Sequence, residues 1–140
     1  MYKMKPEYYT GVLFIDKEHA RLFELVQETH ELLNNDILMD KTDQLTDLIS
    51  ELINYTRTHF SHEEAYMDSI QYPHIAEHSV QHRQFESKLL EFDLDSIADD
   101  FDEQNEAVQH LLDFLVNWLI NHIMKVDMLY IEKHPETHED

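Results

Sequence analysis

In four separate stretches of this chain apolar residues return at every third or fourth position, and each stripe is broken by histidine. Such spacing marks an amphipathic helix with one buried face. The first stripe reads His19, Leu22, Phe23, Val26, His30, Leu33, Ile37, and the second Leu45, Leu48, Leu52, Tyr55, His59, Glu63, Tyr66, Ile70. The third reads Ile75, His78, His82, Phe85, Leu89, Phe92, and the fourth Val108, Leu111, Leu115, Trp118, His122. Helices are predicted over about 17–37, 42–70, 74–93 and 103–133, after an arm of residues 1–15. Asp16 is placed to cap the first helix, Pro73 suits the first turn of the third, and Pro135 stops the fourth.

A single glycine, Gly11, and three prolines are too little punctuation for a many-stranded sheet. The expected fold is therefore all-α: an antiparallel, up-down-up-down four-helix bundle with an N-terminal arm, read as one domain across residues 1–140. The acidic stretch from Asp93 to Asp102 lacks the glycine and the terminal glutamate of a calcium loop, so it is read as a solvated connection.

Ten basic against thirty acidic residues leave a formal charge of −20, which repels polyanions; nucleic acid is not an expected partner. The chain has no cysteine, which removes disulfides, thiolate nucleophiles and iron–sulfur ligation. No apolar run approaches the roughly 20 residues of a membrane span, so the expectation is a cytoplasmic protein without a membrane partner. The sequence assigns no protein partner.

The breaks in the stripes carry the chemistry. On a regular helix, residues four apart differ in direction by about 40°, so His59 with Glu63, and His78 with His82, each put two donors on one face. His19 and His122 with Asp127 bring the set to five imidazoles and two carboxylates on predicted interior faces. One histidine in a core is commonly hydrogen-bonded and inert. Seven such groups in an apolar interior cannot readily satisfy one another, and metal coordination resolves the deficit. The set exceeds what one tetrahedral zinc accepts and suits two six-coordinate ions sharing carboxylates. Thiolate-free ligation favours iron, with manganese, cobalt or zinc also compatible.

His122 and Asp127 are five apart and would diverge by about 140° on a regular helix. A single-turn π-bulge between Leu119 and Asp127 is predicted, because one inserted residue restores a common face.

With these motifs in place, the chain strongly resembles the hemerythrin family in its bacterial single-domain form. The resemblance runs from about Val12 to Tyr130 through GVLFIDKEH (11–19), HFSHEEAYM (59–67), YPHIAEHSVQH (72–82) and WLINHIMKVDMLY (118–130). It implies that His78, His82 and His122 hold one iron and His19 and His59 the other. Glu63, Asp127 and a solvent-derived oxo or hydroxo group would bridge them. It further implies that the three-histidine iron is full at six ligands, that the two-histidine iron keeps one position open, and that dioxygen binds there. Phe23, Phe60, Trp118, Leu119 and Ile123 are expected around the site, and of these Trp118 and Leu119 are the candidate walls of an oxygen pocket. Bacterial members commonly carry a tryptophan in the arm, whereas this chain has Tyr8 and Tyr9.

The resemblance implies reversible dioxygen binding, for storage, delivery or sensing, rather than an enzyme. The alternative is a diiron oxidase or peroxidase consuming oxygen or peroxide at the same ions. Ferritin-like oxidases use E-x-x-H motifs, and no glutamate here is followed by histidine at that spacing. A third reading, a bundle that metal only stabilises, predicts no open position for small anions. His30, His62, His74, His110, His134 and His138 have no place in the ligand pattern and are read as surface or capping residues.

Overall fold

The computed structural model of the chain describes residues 2–92 and 99–129. After a 3-10 turn at Pro6–Tyr8 come four α-helices: α1 (Leu13–Leu33), α2 (Thr42–Ser69), α3 (Ile75–Leu90) and α4 (Phe101–His122). A π-helical turn at Ile123–Asp127 continues α4. α1 packs against α2 and α4, and α2 against α3, so consecutive helices line an up-down-up-down bundle. No described helix is long and apolar enough to cross a membrane.

The entry to α1 departs from the expected one. The helix begins at Leu13, its N-cap is Val12, and Asp16 lies inside the first turn. From there its carboxylate reaches backwards, accepting hydrogen bonds from Thr10 N (2.8 Å), Thr10 Oγ1 (2.9 Å) and Gly11 N (3.1 Å). Asp16 therefore fastens the arm to the helix instead of capping it. Gly11 takes φ 88°, a left-handed turn that its missing Cβ allows. The far end of α1 also differs: it stops at Leu33, and Ile37, expected on the buried stripe, is 94% exposed.

α2 matches its expected span to within a residue and ends in a Schellman motif. Tyr72 N donates to Met67 O (2.9 Å) and Gln71 N to Asp68 O (3.0 Å), with Gln71 at φ 57°. Met67 and Tyr72 pack together behind this turn. Pro73 consequently sits in the connection, before the N-cap His74 of α3, and not in the first turn of the helix. α4 starts at Phe101, two residues early, where Asp100 caps it by accepting from Glu103 N (3.0 Å). α3 ends at Leu90, short of the predicted 93, because the chain turns at Glu91. The predicted end of the fourth helix at 133 and the stop at Pro135 lie outside the described residues.

Among the described residues, buried apolar side chains fall into two clusters. The larger fills most of the bundle and includes Leu25, Leu45, Leu52, Phe60, Leu89, Val108, Leu111 and Ile123. The smaller, Val12, Ile15, Met67 and Tyr72, closes one end. The chain order of its residues places a polar layer between the clusters: His19 lies between Ile15 and Leu22 on α1, and Glu63 between Met67 and Phe60 on α2. The arm crosses the outside of this layer, with Tyr8 only 6% exposed and stacked on Phe23 at 5.3 Å.

Candidate metal centre

Every helix contributes to the polar layer. His19 comes from α1, His59 and Glu63 from α2, His78 and His82 from α3, His122 from α4, and Asp127 from the π turn. All seven are between 0 and 4% exposed. The π turn falls within the segment where the H-x4-D spacing predicted a bulge. Its extra residue brings Asp127 back to the face of His122, with Oδ1 and Nε2 2.9 Å apart.

The donor atoms gather into two groups that share members. Around the first, His122 Nε2 lies 3.0 Å from His78 Nε2 and 3.1 Å from His82 Nε2. Glu63 Oε1 stands 2.9 Å from His82 Nε2 and 3.2 Å from His78 Nε2, and Asp127 Oδ1 stands 2.9 Å from His78 Nε2. Spacings this short would let Glu63, His78, His82, His122 and Asp127 share one small cation.

The second group consists of His19, His59 and Glu63, one donor atom of each lying within 4.8 Å of the others. Here the opposite carboxylate oxygens face inward: Asp127 Oδ2 is 3.1 Å from His19 Nε2, and Glu63 Oε2 is 3.8 Å from His19 Nε2 and 4.0 Å from His59 Nε2. Each of the two acids thus turns one oxygen to each group.

The contacts of His122 Nε2 with His78 and His82 have hydrogen-bond geometry, whereas those made by His19 and Asp127 do not. Among the described residues, neither ring nitrogen of His19 and neither oxygen of Asp127 has a partner of acceptable hydrogen-bond geometry, although both residues are buried. Buried polar atoms that point at a common centre instead of at each other fit a cation as their missing partner.

Electrostatics agree with that reading. Burial and the neighbouring Asp127 push the Glu63 carboxyl up, but His78 and His82 within hydrogen-bonding distance bring it well below the usual carboxylate range. Burial likewise pushes Asp127 up, and His122, His19 and His78 bring it far below. Burial disfavours a charged His78, yet Asp127 and Glu63 beside it raise it to about 10. In the metal-free chain a proton on His78 therefore takes the part of a cation.

Behind the ligand candidates lies a set of partners that the sequence did not single out. His59 Nδ1–H donates to Glu18 (2.8 Å), His82 Nδ1–H to Glu64 (2.7 Å) and His122 Nδ1–H to Gln81 (3.0 Å). Holding the proton on Nδ1 fixes each ring's orientation and leaves Nε2 with its lone pair turned inward. Each partner adjoins a ligand candidate in sequence: Glu18 precedes His19, Glu64 follows Glu63 and Gln81 precedes His82. Glu18 also accepts from exposed His62 (2.7 Å); burial pushes its carboxyl up, but His59 and His62 bring it below the usual value.

Aromatic rings buttress the imidazoles. Phe60 stacks on His82 at 3.9 Å and Trp118 on His122 at 4.3 Å. Trp118 and Leu119 both line a small internal cavity, with Phe60, Phe85, Leu22 and Thr56 among its other walls. Phe23 and Ile123, also expected near the site, are buried in the main core and do not line that cavity. His62, His74 and His110 are exposed, while His30 is half-buried and meets the Tyr2 ring edge-on at 5.3 Å. His134 and His138 lie outside the described residues.

Comparison with known proteins places this geometry. Residues 10–133 match the family described as the hemerythrin HHE cation binding domain. The chain is 39% identical over 132 residues to the bacteriohemerythrin of Clostridium acetobutylicum, covering 94% of this chain and all of that one. It is 30% identical over 124 residues to the bacteriohemerythrin of Methylococcus capsulatus, covering 89% of this chain and 88% of the other. A hemerythrin of Themiste dyscrita is 31% identical over 115 residues, 82% of this chain and 88% of that one. A bundle whose four helices all supply donors to one buried layer, matched by the family across nearly its whole length, belongs to the hemerythrins.

Proposed function

We propose that this chain binds dioxygen reversibly, in the cytoplasm, at two iron ions. His78, His82 and His122 would hold one ion, His19 and His59 the other, and Glu63 and Asp127 would link them together with an oxo or hydroxo group. The observation that carries the reading is the split of each carboxylate, with Oε1 and Oδ1 facing the three-histidine group and Oε2 and Oδ2 facing the other. Three imidazoles and two carboxylate oxygens would hold the first ion, and two imidazoles with the opposite carboxylate oxygens would hold the second, one donor fewer, which would leave it room for dioxygen. When bound, the ion pair supplies the two electrons that dioxygen takes and later returns.

The protein's part is to position and to exclude. The cavity walled by Trp118 and Leu119 has room for about one water-sized molecule, and its walls expose apolar surface. Leu22 follows His19 by three residues, Thr56 precedes His59 by three and Leu119 precedes His122 by three, which sets the cavity one helical turn from the polar layer. The only hydroxyl among its lining residues, on Thr56, donates to Leu52 O (2.6 Å). The cavity therefore offers no side-chain acid or base to drive peroxide onward, and no observation favours the oxidase reading.

Iron analysis and a gas-exchange cycle test this. The expected result is two irons per chain and a visible charge-transfer band that appears when oxygen is admitted to the reduced protein and fades when it is removed. A reduced form that is not recovered after the first cycle would overturn the proposal, as would sustained oxygen consumption with added reductant at a rate well above slow autoxidation.

A further inference from the structure

The three side chains that hold ligand imidazoles from behind are not equivalent. His59 and His82, one from each group, donate to carboxylates, whereas His122 donates to the neutral amide oxygen of Gln81. A carboxylate behind an imidazole draws the Nδ1 proton towards itself, makes Nε2 more basic and passes electron density to whatever Nε2 binds. An amide oxygen does so much more weakly. His122 is also the imidazole closest to Asp127 in sequence, 2.9 Å from its Oδ1, so its inner nitrogen already faces an anion.

We propose that Gln81 is a positioning residue that acts through His122 to keep the bound ion pair from becoming too electron-rich, and so favours release of dioxygen over permanent oxidation. The inference rests on the dioxygen-binding reading above. On binding, two electrons pass from the ions to dioxygen, and on release the same two return, so no further oxidant or reductant takes part. An electron-rich His122 stabilises the oxidised ions and makes the return leg harder.

The surroundings of Gln81 make the idea testable without damage to the fold. Gln81 lines an open groove between α3 and α4 with Asn117, Asn121 and Val126, where a charged side chain of the same shape remains solvated. Gln81→Glu should therefore fold normally and convert the hydrogen bond into a charge-assisted one. Gln81→Leu removes the partner and lets the ring turn.

The experiment measures three quantities on the full chain and both variants: the midpoint potential of the iron-loaded protein, its autoxidation rate, and the affinity of the metal-free protein for cobalt(II). Gln81→Glu is expected to lower the potential and speed autoxidation about tenfold, while Gln81→Leu weakens cobalt binding by about 10- to 100-fold. Thermal unfolding of the metal-free variants is expected to match that of the parent. A Gln81→Glu potential and autoxidation rate indistinguishable from the parent would overturn the inference. If the chain takes up no iron pair, the dioxygen reading fails by itself. The cobalt arm then still judges Gln81, and equal cobalt affinity in Gln81→Leu and the parent would show that it holds nothing in place.

Discussion

Glu63 and Asp127 are fully buried carboxylates held well below their usual pKa, so both are charged inside the bundle. Burying charge in this way is strongly unfavourable unless it is compensated, and here each acid has imidazoles on two sides and a cation between them would complete the match. Glu63→Gln keeps the shape and removes the charge that binds the two groups together. It is expected to cut metal uptake from the proposed two ions per chain to at most one, read by metal analysis after loading and desalting. Uptake of two ions by that variant would show that Glu63 does not bridge. Six of the seven candidates were legible in the sequence because each interrupts an apolar stripe, where a polar residue is costly, and Asp127 was legible from its spacing to His122. Glu18, Glu64 and Gln81 interrupt nothing. They occupy the polar flanks of their helices, where acids and amides are common, and only the folded bundle shows that each faces an imidazole on a neighbouring helix.

The helices were legible in outline from the period of the stripes, and the π turn from a single discordant spacing. Their ends were less legible, because a short polar side chain near a helix start has two ways of using its oxygens. Asp16 fits the pattern of an N-cap, yet it serves the arm from inside α1 through Thr10 and Gly11. The α2 terminus was obscured differently: the Schellman position that glycine usually fills holds Gln71, at φ 57°. A residue with a Cβ in that region costs about 1 kcal/mol relative to glycine. Gln71→Gly is therefore expected to raise stability by up to about 1 kcal/mol in denaturant unfolding of the metal-free protein. Metal content should not change, since Glu63 and His78 lie on either side of the turn and keep their helices. A loss of stability would mean that the Gln71 side chain contributes more than its backbone strain removes.

Across the whole molecule the polar layer lies between a small apolar cluster and the main core, so its state of charge bears on the stability of the entire bundle. The signs can be followed group by group in the metal-free chain. The lowered carboxyls of Glu63 and Asp127 stabilise the fold above their ordinary values of 4.5 and 3.8, and that contribution is lost as the pH falls below them. The raised His78 stabilises it in full below its ordinary value of 6.5, and the contribution declines from there until it vanishes above about 10. Metal-free protein is therefore expected to be most stable between about pH 5 and 6.5, with its unfolding temperature falling steadily towards pH 10. Metal ions need His78 neutral and take over the part of its proton, so loaded protein should hold its unfolding temperature through the same alkaline range and lose its ions in acid. Unfolding temperatures recorded from pH 4 to 10, with and without chelator, test both halves together. Parallel curves on the alkaline side would mean that the His78 proton and the cation do not occupy the same place, and that the layer is held together by something other than exchange of one for the other.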